Sequence, residues 1–245
     1  LIVCVLAFGL AGCIGRRPQP SVPEEPGKED PVDPPSTDPF EEGDGTESSP
    51  YLIYTAQQLA EMSDFPAGTY FRQACDIDLS SIDTGDKEQS GTVAPLDRWS
   101  PLGTASDPFL CNFDGNGYEI SNLSIQRFDF RYTTGYYGLF GYARDCTIEN
   151  VTLRNQRVEV RYASSSGALI GFAERCIIRN CRLIQGEKAN YESGSWSFSN
   201  MGGLIGFANE CYIIECTVNS DLSMYGQDVE PFPSFYPQKG CLLYT

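Results

Sequence analysis

The sequence predicts an all-β chain wound as a right-handed parallel β-helix, a solenoid with a short N-terminal capping helix and a disordered linker ahead of it. The first supporting observation is a recurring motif. Gly138-Leu139-Phe140-Gly141, followed by Cys146, Ile148, Asn150, Val151 and Leu153, returns as Ala168-Leu169-Ile170-Gly171 with Cys176, Ile178, Asn180, Cys181 and Leu183. It returns again as Gly203-Leu204-Ile205-Gly206 with Cys211, Ile213, Glu215, Cys216 and Val218, and a weaker earlier copy is Tyr118, Ile120, Asn122, Leu123 and Ile125. The copies lie about 28, 30 and 35 residues apart, a period that marks a repeat architecture. The second observation is that apolar residues alternate inside each copy, which is strand spacing. The alternation slips by one at Asn150, Asn180 and Glu215, so two short strands and one bend are expected per copy, and Asn tolerates the left-handed backbone of a bend. The third observation is charge: Arg144 shares a column with Glu174, Asp145 with Arg175 and Glu210, and Glu149 with Arg179. Opposite charges across neighbouring strands are favourable, so these columns support stacking in parallel register.

Composition sets limits. A net charge of -16 over 245 residues argues against nucleic acid and against electrostatic attachment to an anionic membrane. The chain has no His, which excludes Ser-His-Asp, Cys-His and His-ligated zinc chemistry. Of the ten Cys, Cys146, Cys176 and Cys211 share one inward column and Cys181 and Cys216 another. Stacked side chains point the same way, so they read as small buried hydrophobes; strand spacing nonetheless falls within the Cα range of a disulfide, which leaves cross-linking open.

Three segments follow in chain order: 1–13, a lipoprotein signal segment; 14–50, a disordered proline-rich acidic linker; and 51–245, the repeat domain. The apolar run 1–10 is too short to cross a bilayer and meets Leu10-Ala11-Gly12-Cys13, which resembles the bacterial lipobox. Cys13 is then the acylated residue, and several acyl chains hold a protein firmly to a bilayer. The linker cannot bury enough apolar surface to order itself. Tyr51-Leu52-Ile53-Tyr54 reads as a strand, and Thr55 three residues before Gln58 reads as a capping box opening a helix through about Met62. That helix would cover the open end of the first coil. Tyr70 through Leu79 supplies the first coil strands. Asp76 and Asp78 there read as the wet face of an alternating strand rather than a calcium site, so no metal and no cofactor is expected. Residues 80–98 are a polar insertion, and Asp114-Gly115-Asn116-Gly117 is a turn. The chain opens without Met and stops at Leu242-Leu243-Tyr244-Thr245, in what reads as another copy, so both ends are expected to be truncated.

The order of the Ala-Gln-Gln-Leu helix, Asp76-Ile77-Asp78-Leu79, Trp99-Ser100-Pro101-Leu102-Gly103, Phe113 through Leu123 and the repeated Gly-Leu-Phe-Gly or Gly-Leu-Ile-Gly resembles the GLUG-motif repeat proteins. The resemblance spans about residues 51–220. Such repeats occur in bacterial surface proteins, in adhesin-like chains and beside the catalytic part of IgA-specific metallopeptidases. The resemblance implies a surface location and a β-helix, but no ligand and no functional residues. Two positions depart from it: Cys111 stands where Gly is expected, and Ala168 replaces the Gly seen at Gly138 and Gly203. The peptidases' zinc motif is absent from this sequence, so their activity is not implied.

The expected function is a non-catalytic binding or adhesion module at the cell envelope, at an outer membrane or the cell surface. Its partners would be the bilayer through Cys13 and a glycan or host surface protein. Recognition is expected on loops, where Tyr132, Tyr136, Tyr191, Trp196 and Phe198 are the candidate ligand contacts; the alternative is that such rings fold back over the coil edges. A structural stalk for a further domain is a second reading. A polysaccharide lyase or hydrolase is a third, opposed by carboxylates that face arginines in columns instead of converging on a groove. No catalytic residue is expected.

Overall fold

Alternating residues of a strand face opposite ways, and in the computed structural model the inward ones from successive repeats lie over one another. The structure describes residues 40–82, 99–127, 135–160, 163–184, 190–191, 200–219 and 223–224, all within the compact unit Thr37–Thr245. They are mostly β, with one short α-helix, Ala56–Glu61. The first sheet runs Tyr51–Ile53, Tyr70–Gln73, Asn112–Asp114, Thr147–Glu149, Ile177–Arg179 and Tyr212–Ile214. The second runs Ile77–Asp78, Glu119–Ser121, Thr152–Arg154, Arg182–Ile184 and Thr217–Asn219. A third stacks Phe140–Arg144, Ile170–Glu174 and Ile205–Asn209, and a fourth stacks Tyr136–Tyr137, Ser165–Ser166 and Asn200–Met201. Ser124–Arg127 pairs with Arg157–Val160, and Asn190–Tyr191 with Ser223–Met224. Among the described residues every one of these pairings is parallel.

The register matches the repeat. Ile178 pairs with Ile148 on one side and Ile213 on the other, and Leu183 lies between Leu153 and Val218. Ile120, Ile148, Leu153, Ile178 and Leu183 have no exposed surface, and burying such a side chain is worth roughly 1.5–3 kcal/mol. The expectation of two strands and one bend per copy is corrected. Residues 136–160 alone hold five strands, with left-handed corners at Asp145, Asn150 and Asn155 (φ 51°, 53° and 54°). The corners at Asn150, Asn180 and Glu215 were expected; those at Asp145, Arg175 and Glu210 were not, because their charges read as outward members of an ion-pair column. Bonds between units hold them there, with the Asp145 amide donating to the Glu174 carbonyl at 3.1 Å and the Arg175 amide to the Asn209 carbonyl at 2.9 Å.

Two side-chain ladders climb the corners. Asn180 donates from Nδ2 to Oδ1 of Asn150 at 2.7 Å, and Asn150 in turn to Oδ1 of Asp114 at 2.8 Å. At the next corner Asn155 donates to Asn122, and Asn122 to Asp78 at 2.7 Å. The motif's final glycine is required by close approach. A Cβ at Gly141 would stand 2.5 Å from the Gly103 carbonyl oxygen, and one at Gly171 would stand 2.5 Å from the Tyr137 amide nitrogen. Ala168 is accommodated with no exposed surface. Cys111 is also buried, its Sγ 3.4 Å from the Pro66 carbonyl oxygen under the N-terminal helical turns. Trp99 is fully buried and donates from Nε1 to the Leu139 carbonyl at 3.0 Å.

The helix begins at the expected capping box, with Thr55 accepting from the Gln58 amide while the Gln58 side chain accepts from the Thr55 amide. It buries Leu59, and the 3-10 turn Met62–Asp64 buries Met62. The expected linker boundary at residue 50 moves. Phe40 is buried and packs at 5.7, 4.7 and 5.5 Å from the rings of Tyr51, Phe65 and Phe71. Residues 43–52 are tied in by backbone bonds, among them the Tyr70 amide to Gly45 and the Leu52 amide to Glu42. Proline-rich acidic composition hid this, because a single aromatic ring docking on a preformed face leaves no periodic signal. Phe40 also sits at φ 72°, a region that a bulky residue occupies only where packing holds it. Phe40→Ala is expected to lower unfolding free energy by about 3 kcal/mol, read from urea denaturation; an unchanged midpoint would return residue 40 to the linker.

Candidate functional site

The outer face of the first sheet is where side chains of successive repeats gather without filling a core. One row begins Tyr70, Asn112 and Thr147, with Tyr70 paired to Asn112 and the Thr147 amide donating to Oδ1 of Asn112 at 2.9 Å. The row continues through Ile177 and Tyr212. The adjacent outward row is Arg72, Asp114, Glu149 and Arg179. Arg72 Nε donates to Asp114 Oδ2 at 3.0 Å, and Arg179 Nε to Glu149 Oε2. Tyr70, Asn112 and Thr147 of the first row and the four residues of the second line, with Glu47 and Pro50, a groove of about 280 Å³, close to the roughly 300 Å³ at which small-molecule pockets begin. Asp114 also accepts from the Asn116 amide and from Asn150, so its oxygens are committed. Of the three groove carboxylates, Asp114 and Glu149 are register neighbours and each faces a guanidinium, while Glu47 stands on the rim, so the register pair is not a free pair of acids for glycosidic chemistry. Among the described residues no group of three or more His, Cys, Asp or Glu could hold a metal.

The third sheet carries a second outward feature. Tyr142, Phe172 and Phe207 stand in register, with ring centroids 4.7 and 5.0 Å apart and planes within 16° and 24° of parallel. The rings spend their faces on one another, so the ladder contributes stacking energy more than open ligand surface. Tyr142 also donates its hydroxyl to Glu174 at 3.0 Å, and partial burial and that carboxylate raise its pKa. Two of the three expected charge columns form ion pairs. Arg175 grips Asp145 at 2.7 and 2.8 Å, which holds the Asp145 carboxyl below its ordinary pKa; Arg179 grips Glu149. In the remaining column Arg144 pairs in register with Glu174, whose Oε1 accepts from Arg175 at 2.7 Å. One pair that the columns did not name is Arg154 with Glu119, at 2.6 and 2.7 Å. Asp76 and Asp78 spend oxygens on the Glu119 and Ser80 amides, at 2.9 and 2.8 Å.

Of the loop aromatics, Tyr136 is corrected from loop to strand. It opens Tyr136–Tyr137 and lies edge-on to Tyr142 and Phe172 at 5.2 and 5.4 Å, because its register places it beside the ring ladder. Tyr191 belongs to the strand Asn190–Tyr191, and its side chain lies outside the described residues, as do Cys13, Tyr132, Trp196 and Phe198. The groove residues escaped sequence reading because they are spread from Glu47 to Arg179 and share no motif. The one available signal was the alternate outward position of Tyr70, Asn112 and Thr147.

Fold and groove together define a stack of parallel-strand repeats with a polar groove on one outer face. No family model matches the chain. It is 33% identical over 118 residues, 47% of its length and 12% of the relative's, to a protein named a Gly-rich membrane protein in Evansella cellulosilytica. It is 34% identical over 119 residues, 46% of its length and 1% of the relative's, to halomucin of Haloquadratum walsbyi. The chain thus spans a small part of the curated relatives it matches. A crystal structure named as an immunoglobulin A1 protease, from Bacteroides ovatus, aligns with TM-score 0.32 at 16% identity, covering 82% of this chain and 84% of that one.

The cysteines of the core are free thiols. Burial pushes Cys111 up to about 11, and hydrogen bonding with Cys146, together with burial, pushes Cys176 up to about 12, from an ordinary value of 9.0. Raised folded-state values mean that the native chain holds these protons more tightly than the unfolded one. The stabilisation is therefore complete below about pH 9 and is lost as pH climbs toward 11 to 12. With thiols kept reduced, the melting temperature should fall progressively above pH 9; a level profile from pH 9 to pH 11 would contradict the burial of these thiols.

Proposed function

We propose that this chain is a lipid-anchored surface binding module: acylated Cys13 holds it at the cell envelope, at an outer membrane or the cell surface, and a right-handed parallel β-helix of GLUG-type repeats presents a glycan-binding face. In-register parallel stacking supports the β-helix reading. An envelope location fits relatives named as a membrane protein and as halomucin.

The groove on the first sheet carries the binding reading. Tyr70 offers an aromatic ring, and beside it two arginine-carboxylate pairs offer fixed donors and acceptors. Sugars are held by this combination, a ring against their C–H face and charge-assisted hydrogen bonds to their hydroxyls. Because the charges are largely paired within the protein, an uncharged saccharide fits better than an anionic one, and nucleic acid is disfavoured by the net charge of -16. The module is proposed to be non-catalytic because Asp114 and Glu149, the carboxylates paired across the groove strands, are engaged by arginines. The loop residues Tyr132, Tyr191, Trp196 and Phe198 are proposed as a second contact region.

On an array of neutral glycans the full chain should bind, and Tyr70→Ala should weaken binding by about tenfold or more, while Tyr212→Ala, on the exposed continuation of the same row, should not. Loss on Trp196→Ala with Tyr70→Ala unaffected would move the site to the loops, and absence of any glycan binding would overturn the reading. For the anchor, Cys13→Ser should shift the protein from the membrane to the soluble fraction and abolish incorporation of labelled fatty acid. Unchanged membrane retention would exclude acylation as the tether.

A further inference from the structure

Cys146, Cys176 and Cys211 each follow a left-handed corner residue, Asp145, Arg175 and Glu210, at φ 51°, 51° and 55°. The register that pairs Ile177 with Thr147 and Tyr212 therefore puts Cys176 between the other two. Neighbouring strands lie about 4.8 Å apart, inside the Cα separation that a disulfide spans. Within this column one contact stands apart: Cys146 Sγ and Cys176 Sγ are 3.6 Å from each other. Cys211 Sγ instead accepts from the Cys176 amide at 3.4 Å. The second column is turned differently, with Cys181 and Cys216 each directing Sγ to a carbonyl oxygen of the preceding repeat, Ile148 and Ile178, both at 3.7 Å. Cys181 and Cys216 also interact through their side chains, as do Cys176 and Cys211, and among these pairs Cys146 and Cys176 make the 3.6 Å sulfur–sulfur contact.

We propose that Cys146 and Cys176 form a dithiol–disulfide couple that covalently staples two consecutive repeats when a disulfide oxidant is present. The oxidant is a small-molecule disulfide or a protein disulfide donor. The Cys146 thiolate attacks one sulfur of that disulfide, giving a mixed disulfide and releasing one thiol, which takes up the proton that Cys146 lost. The Cys176 thiolate then attacks Cys146 Sγ, forming the Cys146–Cys176 bond and releasing the second thiol with the second proton. Two protons and two electrons pass to the oxidant. Cys146 retains 5% exposure and Cys176 none, so the outer thiol is the point of entry and the inner one resolves. The raised pKa of Cys176 makes the second step slow at neutral pH and faster in alkaline buffer or in the folding chain. Closing a loop of about 30 residues restricts the unfolded chain and also prevents the two repeats from parting within the native stack.

The test treats the full chain with oxidised glutathione or with a phosphine reductant, blocks remaining thiols, and maps it with trypsin. Cleavage after Arg144, Arg154, Arg175 and Arg179 places Cys146 in peptide 145–154 and Cys176 in peptide 176–179. The expected result is these two peptides joined, less two hydrogens, in the oxidised sample only, with a melting temperature raised by roughly 5–10 °C. Cys176→Ser should abolish both the joined peptide and the oxidant-dependent rise, while Cys181→Ser keeps both; Cys146→Ser serves as the second variant should Cys176→Ser fold poorly. The proposal is overturned by a stable glutathione adduct on Cys146, by Cys176 joined to Cys211, by Cys181 joined to Cys216 in its place, or by the joined peptide without a rise in melting temperature.

Discussion

The backbone hydrogen bonds of the described strands run between repeats, and everything else depends on that. A short strand such as Thr147–Glu149 finds its partners in Asn112–Asp114 and Ile177–Arg179, in the repeats before and after. No repeat satisfies its own amides and carbonyls, and unpaired ones are costly when buried. Stability is therefore a nearest-neighbour property of the stack, and each residue's closest contacts are its own counterparts. Ile178 meets Ile148 and Ile213, Phe172 meets Tyr142 and Phe207, and Asn180 bonds to Asn150.

Self-stacking favours particular residue types on each surface. Inside, β-branched and Leu side chains interdigitate with their copies. At corners, Asn serves twice, because it accepts the left-handed backbone and its amide donates to the Asn or Asp of the neighbouring repeat, one after another up the ladder. On outer faces like charges would repel over so short a spacing, and most acids there meet an arginine of the next repeat, Asp145 with Arg175, Glu149 with Arg179 and Glu119 with Arg154, while the adjacent Asp114 and Glu149 are each flanked by one. Exposed pairs of this kind contribute little stability each, yet at the corner of Arg144 and Asp145 over Glu174 and Arg175 a one-residue slip would set like against like, so that pairing guards the register. Aromatic residues solve the same spacing problem by lying face to face.

The groove follows from that arrangement without belonging to any one repeat. Its rows are continuous with columns whose other members are structural, and its N-terminal rim comes from Glu47 and Pro50, a segment whose composition reads as linker. Docking of Phe40 onto Tyr51, Phe65 and Phe71 holds that rim in place. A groove can thus arise on a repeat scaffold where a non-repeating segment breaks the symmetry of a flat sheet, which is also where a motif search is blind.

The residues by themselves determined the period, the inward columns from Ile120 to Val218, the corners at Asn150 and Asn180, the capping box at Thr55 and Gln58, and the pairing of Asp145 with Arg175 and of Glu149 with Arg179. Each is a local pattern, or a local pattern repeated at fixed separation, so linear order preserves it. Only the tertiary structure decided the additional corners at Asp145, Arg175 and Glu210, the packing of Phe40, the edge-on seat of Tyr136, the 3.6 Å approach of Cys146 to Cys176, and the gathering of Tyr70, Asn112, Thr147 and Arg179 around one groove. Those depend on how far the chain rotates at each bend and on which neighbour lies within a few ångströms, quantities that side-chain identity constrains only once the strands have paired.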